Sequence, residues 1–435
     1  MTTASPSPSP ASSGLTGFWH DLPREGRLML SIVVLEFLGT GLVLPFNVVY
    51  LHEVRGFALG DVGLLLGLPP LMGLLVVGPG GLAIDRVGAR RIQLGVLSLL
   101  VVGNALLAFA TTELVAGLAL VLTGIAFGMS WPAWQSLVAS VIPTHLRQRY
   151  FGVNFTLLNL GIGIGGVVGG LFVDVADLAT FQAVYLVDAA SYLPALLLLL
   201  GPLRHVAGRV VHEAGEATGQ VSYLAVLRSP AMASLTVLSF VSSFVGYSQL
   251  NAGMPAFARQ VGEVSTRGLG FAFAANTAVI VVLQLVVLQR IEGRRRTRVI
   301  AVMGVIWAFA WVALGFAGVI PGTLGATLLV AACASVFALG ETLLQPTIPA
   351  LVNDLAPDHL RGRFNAVSSA AFQGAAVIAP PTSGFLIGHA LGSVYIGLLI
   401  VGCLVCGALA VARLEPQLSP EVNGVRVPDS EPAAH

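Results

Sequence analysis

The chain alternates long apolar stretches with short polar ones. The apolar stretches run near 28–51, 59–84, 92–111, 114–141, 151–173 and 180–202; after a polar interval come 231–258, 268–289, 299–320, 322–350, 365–388 and 392–412. Roughly 20 consecutive apolar residues carry a helix across the hydrocarbon core of a bilayer, so each stretch reads as a transmembrane helix. The second, fourth and tenth are long enough to tilt or to project beyond the bilayer. The expected fold is an all-α membrane protein with twelve transmembrane helices arranged as two pseudo-symmetric six-helix bundles. Residues 1–27 are expected as a disordered cytoplasmic tail, because "MTTASPSPSPASSGL" is too polar for a signal peptide. The bundles then span 28–202 and 231–412, joined by a cytoplasmic linker over 203–230 and followed by a cytoplasmic tail over 413–435.

Composition fits this reading. Hydrophobic residues make up 56% of the 435 residues and charged residues 10%, against about 25% charged in a soluble domain. Too few polar side chains remain to cover a water-facing surface of this size. All 22 basic residues are arginine, and they are placed unevenly. With the N-terminus inside, only Arg55, Arg259 and Arg267 fall in outer loops; the other nineteen fall on inner segments. The positive-inside rule predicts this bias, and miscounting one span would scramble it. The net charge of +1 offers no field for nucleic acid. Cys333, Cys403 and Cys406 lie in apolar runs and read as small buried hydrophobes, not as disulfide partners or metal ligands.

Two echoes divide the chain in half. "PTHLRQRY" at 143–150 returns as "PDHLRGRF" at 357–364, with five identities in eight positions, and each joins the fourth and fifth span of its half. "DRVGARR" at 85–91 is answered by "RIEGRRR" at 290–296, with Gly88 matching Gly293. Doubled six-helix units of this kind enclose a central site in many secondary transporters.

The stretch "GGLAIDRVGARR" at 80–91 resembles the signature between the second and third spans of the major facilitator superfamily, and the whole chain resembles that family's bacterial drug:proton antiporters. The resemblance implies that Gly81, Asp85, Arg86, Gly88, Arg90 and Arg91 form a conformational latch between the halves. Two further family patterns are altered. Leu120 stands where proton-coupled members carry an arginine, and Gly166 replaces a proline in the glycine-rich fifth span, "GIGIGGVVGG" at 161–170.

An ionisable group within the bilayer costs about 3 kcal/mol or more and is a functional candidate by default. Glu36, Asp188 and Glu341 lie well inside spans with no arginine near them on their own helices. Each is a candidate for proton coupling, since a carboxyl group can take up and release a proton. Glu36 leads, because the resemblance places the first span along the cavity; Asp188 sits on a span the resemblance makes peripheral. Trp131, Trp134, Asn159, Tyr247, Gln249, Asn251 and Asn276 are candidates for an amphipathic substrate cavity. No GxxxxGK[ST] loop, HExxH motif or Cys/His cluster occurs, so no enzyme chemistry is indicated. The expected function is proton-coupled efflux of hydrophobic small molecules by a monomer in the plasma membrane, in contact with lipid. A proton gradient is the energy source, with no cofactor and no metal. Uptake of a sugar or other metabolite, and a non-transporting sensor on the same fold, stay open as alternatives.

Overall fold

In the computed structural model, which describes residues 15–206, 226–291, 293–357 and 361–425, twelve helices are long and apolar enough to cross a membrane. They are α1 (Arg24–Val54), α2 (Leu59–Val87), α3 (Ala89–Ala108), α4 (Glu113–Val141), α5 (Thr144–Phe172) and α6 (Leu178–Leu200) in the first half. The second half holds α7 (Pro230–Gln260), α8 (Thr266–Ile291), α9 (Arg296–Ala317), α10 (Leu324–Leu355), α11 (Arg361–Gly388) and α12 (Gly392–Gln417). The three spans expected to be long contain 29, 29 and 32 residues. No strand occurs among the described residues.

The ordered structure begins earlier than the composition suggests. A short helix, Leu15–Asp21, precedes α1 and buries Phe18 at 2% exposure, with Leu22 just after it at 2%. The expected disordered tail over 1–27 therefore fails from Leu15 onward: an apolar pair one turn apart gives this segment a face to bury. Residues 1–14, and 207–225 of the expected linker, lie outside the described residues.

The outward surface is apolar, with Leu114, Leu324, Val282 and Phe309 each more than three-fifths exposed. Such a surface suits lipid, where exposing apolar side chains has no hydrophobic cost. Inside, small residues let bulky rings fit. Trp307 is fully buried, stacks on Phe337 at 4.4 Å and donates its indole N–H to the Phe337 carbonyl at 2.9 Å.

The repeats seen in the sequence correspond to matched geometry. Gly88 (φ +96°) turns α2 into α3, and Gly293 (φ +75°) turns α8 toward α9. Both occupy the left-handed half of backbone space, where a Cβ is strained, so the echo records a backbone requirement. The first helix of each half is broken at corresponding places. In α1 a 3-10 turn at Leu44–Phe46, which includes Pro45, leads to a π turn at Tyr50–Val54. In α7 the break at Gly246 leads to a π turn at Gln249–Gly253.

The contacts between halves gather toward the arginine-poor end. There α2 crosses α11 so closely that a Cβ on Gly63 would stand 2.6 Å from the Pro380 carbonyl oxygen, and one on Gly384 2.5 Å from that of Leu59. The pseudo-symmetric pair, α5 and α8, meets at Gly170 and Gly270, where a Cβ on either would lie 2.9 Å from the Cα of the other. Glu53, at the end of α1, accepts two hydrogen bonds from the Arg259 guanidinium of α7, one of them at 2.9 Å. This end of the molecule is shut.

Candidate functional site

A cavity of about 350 Å³ lies between the halves, inward of this seam. The first half supplies Thr40 and Asn47 from α1, Pro69 and Pro70 from α2, Asn104 from α3, Leu120, Thr123 and Phe127 from α4, and Asp188 and Tyr192 from α6. From the second half come Tyr247, Ser248 and Asn251 of α7 with Phe372 and Gln373 of α11. The lining is mainly apolar, with amides and hydroxyls spaced around it. Asp188 is its single carboxyl group among the described residues.

The local fold places Asp188 with care. It is 2% exposed, and its Oδ1 has no hydrogen-bond partner among the described residues. Tyr192, one turn along, stands beside the carboxyl group and also within 3.2 Å of the Thr40 hydroxyl. Between these, Ser191 donates to the Asp188 carbonyl at 2.7 Å and reaches the Glu36 carbonyl at 3.2 Å, tying α6 to α1. Gly39 permits the approach, for a Cβ there would lie 2.8 Å from Asp188 Oδ1. An unpartnered polar atom at this depth is costly, and its position on the cavity wall gives it somewhere to act.

Glu36 does not line the cavity. It stands one turn before Thr40, on the stripe of α1 that continues through Val43 and Asn47 into the cavity wall, and is half-buried. Its charge is close enough to act on Asp188. Glu341, also half-buried, lies in the second half beside Tyr247 and Asn276. One turn on, Gln345 lines a smaller pocket of about 200 Å³ that shares Tyr247 and Phe372 with the central cavity. The three acids thus form a close pair in one half and a separate site in the other.

Of the residues expected to contact substrate, only Tyr247 and Asn251 line the central cavity. Trp131 is not among the lining residues; it stands one turn beyond Phe127 on α4, 51% exposed, with its ring 6.2 Å from Phe151, and Trp134 packs within the first half. Asn159 donates to the Phe155 carbonyl of its own helix at 2.9 Å. Gln249 is fully buried and joins α7 to α11 and α12, donating toward the Ala379 carbonyl and accepting from the Tyr395 hydroxyl. Asn276 donates to the Ala334 carbonyl at 3.1 Å and so holds α8 against α10. Thr40, Asn47, Asn104, Thr123 and Gln373 escaped the sequence reading. The spacing of Glu36, Thr40 and Asn47 along one face of α1 is the signal that would have found the first two.

The residues expected to form a latch stand at the arginine-rich end. Arg86 and Arg91 are exposed, while Arg90 donates to the Leu199 carbonyl at 2.8 Å and so ties α3 to α6 within its own half. Gly81 and Asp85 lie within α2.

Twelve spans, doubled halves shut against each other at one end, and a cavity between them with one carboxyl group define a membrane carrier, not an enzyme. The family model of the Major Facilitator Superfamily matches residues 29–338 and 264–431, and the chain belongs to that family. It is 26% identical to the MFS-type transporter YttB of Bacillus subtilis over 85% of this chain and 89% of that protein. It is 28% identical to the quinolone resistance protein NorA of Staphylococcus aureus over 39% of this chain and 44% of that one. Among solved structures, the nucleoside transporter NupG aligns with a TM-score of 0.71 at 11% identity, covering 89% of this chain and 99% of that chain. A bacterial homologue of the human lysosomal transporter Spinster, in an inward-facing and unoccupied conformation, aligns with a TM-score of 0.65 at 14% identity, covering 94% and 98%.

Proposed function

We propose that this protein is a proton-coupled exporter of hydrophobic, weakly cationic small molecules, located in the plasma membrane with both termini in the cytoplasm. The observation that carries the reading is Asp188: a buried carboxyl group with a free oxygen on the wall of an otherwise uncharged cavity. A cation and a proton compete for such a group, and that competition is the essence of exchange. Aromatic faces at Phe127, Tyr192, Tyr247 and Phe372 add favourable contacts for a cationic, apolar guest. The arginine bias supports an external position for the shut end, which would leave the cavity to load from the cytoplasm.

In the proposed cycle, substrate enters while Asp188 is ionised and the halves rock outward. A proton arriving from outside then displaces the substrate, and the neutral carrier returns. Glu36, one turn toward the arginine-rich end, passes the proton inward. This order revises the expectation that Glu36 is the primary group. The partial likeness to NorA supports export. A second reading, uptake of a polar metabolite, is favoured by the amides Asn47, Asn104, Asn251 and Gln373 on the cavity wall.

The test uses proteoliposomes carrying an imposed pH gradient and a lipophilic cationic dye. Asp188→Asn is expected to abolish gradient-driven dye movement at unchanged abundance, while Glu36→Gln slows it. Undiminished gradient-driven transport by Asp188→Asn removes the proposal. Counterflow of labelled nucleoside or sugar, with none of dye, selects the uptake reading.

A further inference from the structure

Where α8 gives way to α9, a groove of about 740 Å³ opens on the flank of the second half, away from the central cavity. Four arginines, Arg290, Arg294, Arg295 and Arg298, stand at its arginine-rich rim. Its wall is apolar, and Val286 and Val302 are exposed there at 50% and 53%. The two helices repeat one order from opposite directions: Val286 precedes Arg290 by four residues on α8, and Arg298 precedes Val302 by four on α9. Four residues of helix advance about 6 Å. The groove therefore presents charge at its rim and aliphatic surface one turn deeper on both sides.

The charge is not used up locally. Glu415 pairs with Arg295 at 2.5 Å and lies 3.6 Å from Arg298, which is 66% exposed. Asp354 is taken by Arg296, outside the groove. Arg290 and Arg294 are exposed and have no ion pair among the described residues. Glu292, in the turn, lies outside the described residues. Counting both Glu415 and Glu292 as full compensation still leaves two of the four arginines in excess.

We propose that this groove holds one anionic phospholipid of the leaflet on the arginine-rich side. A guanidinium group offers paired donors to phosphate oxygens, and basic recesses between membrane helices suit anionic headgroups. An acyl chain following Val286 and Val302 covers apolar surface that a soluble anion leaves bare. The step from charge to hydrocarbon within one helical turn matches a lipid crossing from its headgroup to its chains.

The test is native mass spectrometry of the full chain in detergent, titrated with phosphatidylglycerol or phosphatidylcholine. Phosphatidylglycerol is expected to be retained about fivefold better for each effective basic contact it makes, the equivalent of about 1 kcal/mol per arginine. Arg290→Gln/Arg294→Gln is expected to lose that preference. Val302→Trp, which fills the trough and keeps every arginine, is expected to lose it as well. The second variant, at an exposed site, carries the test if the first misfolds. Equal binding of the two lipids, or wild-type retention of phosphatidylglycerol by both variants, overturns the proposal. Displacement of phosphatidylglycerol by millimolar inorganic phosphate also overturns it, by identifying a free anion as the ligand.

Discussion

Substituting Gly63 by alanine tests whether the glycine seam holds the arginine-poor end shut. The new methyl group would stand 2.6 Å from the Pro380 carbonyl oxygen, 2.9 Å from the Pro381 Cα and 3.1 Å from the Pro380 carbonyl carbon. All three are backbone atoms flanking adjacent prolines in α11 and cannot rotate aside, so relief requires α2 and α11 to part. Overpacking of this kind costs about 1–3 kcal/mol, borne only by the conformation in which the helices touch. The ratio of open to shut molecules at that end is then expected to rise about 5- to 150-fold. Gly60 supplies the control: it lies one turn away on the same helix, and a Cβ there meets nothing within 4 Å. Alanine gains at most about 1 kcal/mol of helix propensity at either site, less at Gly60 in the first turn of α2, and that gain acts on the helix whether the end is open or shut, so a difference in opening between the two variants reports the seam. Spin labels at Glu113 and Leu324, exposed at the start of α4 and α10 in opposite halves, report the separation by double electron–electron resonance. The native Cys333, Cys403 and Cys406 are buried and compete poorly for label. Gly63→Ala should enlarge the long-distance population while Gly60→Ala leaves it unchanged. Equal distance distributions for the two folded variants would refute the reasoning.

Other perturbations reach different parts of the molecule. Glu53→Gln leaves Arg259 without its anionic partner and should favour opening at the same end by about 1.5–3 kcal/mol, read with the same labels; the exchange Glu53→Arg/Arg259→Glu should restore closure. Gly39→Ala brings a methyl group to 2.8 Å from Asp188 Oδ1 and against Ser191; under the exchange reading, the pH midpoint of dye transport should move while abundance holds, and an unmoved midpoint separates the coupling group from Asp188. Trp307→Ala removes a fully buried ring stacked on Phe337, with an expected loss of about 3–5 kcal/mol seen as a lower thermal midpoint in detergent. Trp131→Ala, at a half-exposed site off the cavity, should change stability by no more than about 0.5 kcal/mol and leave transport unaltered; a strong transport defect would return Trp131 to the substrate path.

What the sequence discloses here follows from what lipid rewards. Span number and the division into halves are written in hydropathy and arginine placement, because the bilayer enforces both on every residue. The Gly88 and Gly293 echo was legible because a left-handed turn admits few residues. Which side of a helix faces the cavity is written more faintly. In water an inward face is apolar and an outward face polar, but here both are apolar, so Trp131 and Trp134 looked like cavity residues while one stands a turn beyond the lining, half-exposed, and the other packs within its own half. Asp188 was underrated because its span was expected at the periphery. The approach that Gly39 allows, and the bonds of Ser191 to α1, bring it to the cavity wall, and those contacts join residues about 150 positions apart. Asn276 and Gln249 illustrate the same ambiguity: an amide that binds a guest and one that binds a neighbouring helix look alike in a string of letters.

The end of the chain makes the two halves mechanically unequal. Beyond α12, Asn423 accepts from the Thr297 backbone N–H at 3.0 Å and its carbonyl accepts from that of Arg296 at 2.9 Å, while Glu415 holds Arg295. The turn that opens α9 is thus splinted by residues well over a hundred positions downstream; its counterpart at Gly88 is steadied within its own half by Arg90 on the Leu199 carbonyl. A chain terminated at Leu414 would keep every membrane crossing and yet lose the brace on one of its two matched elbows, leaving the turn into α9 without the bonds that Asn423 and Glu415 give it.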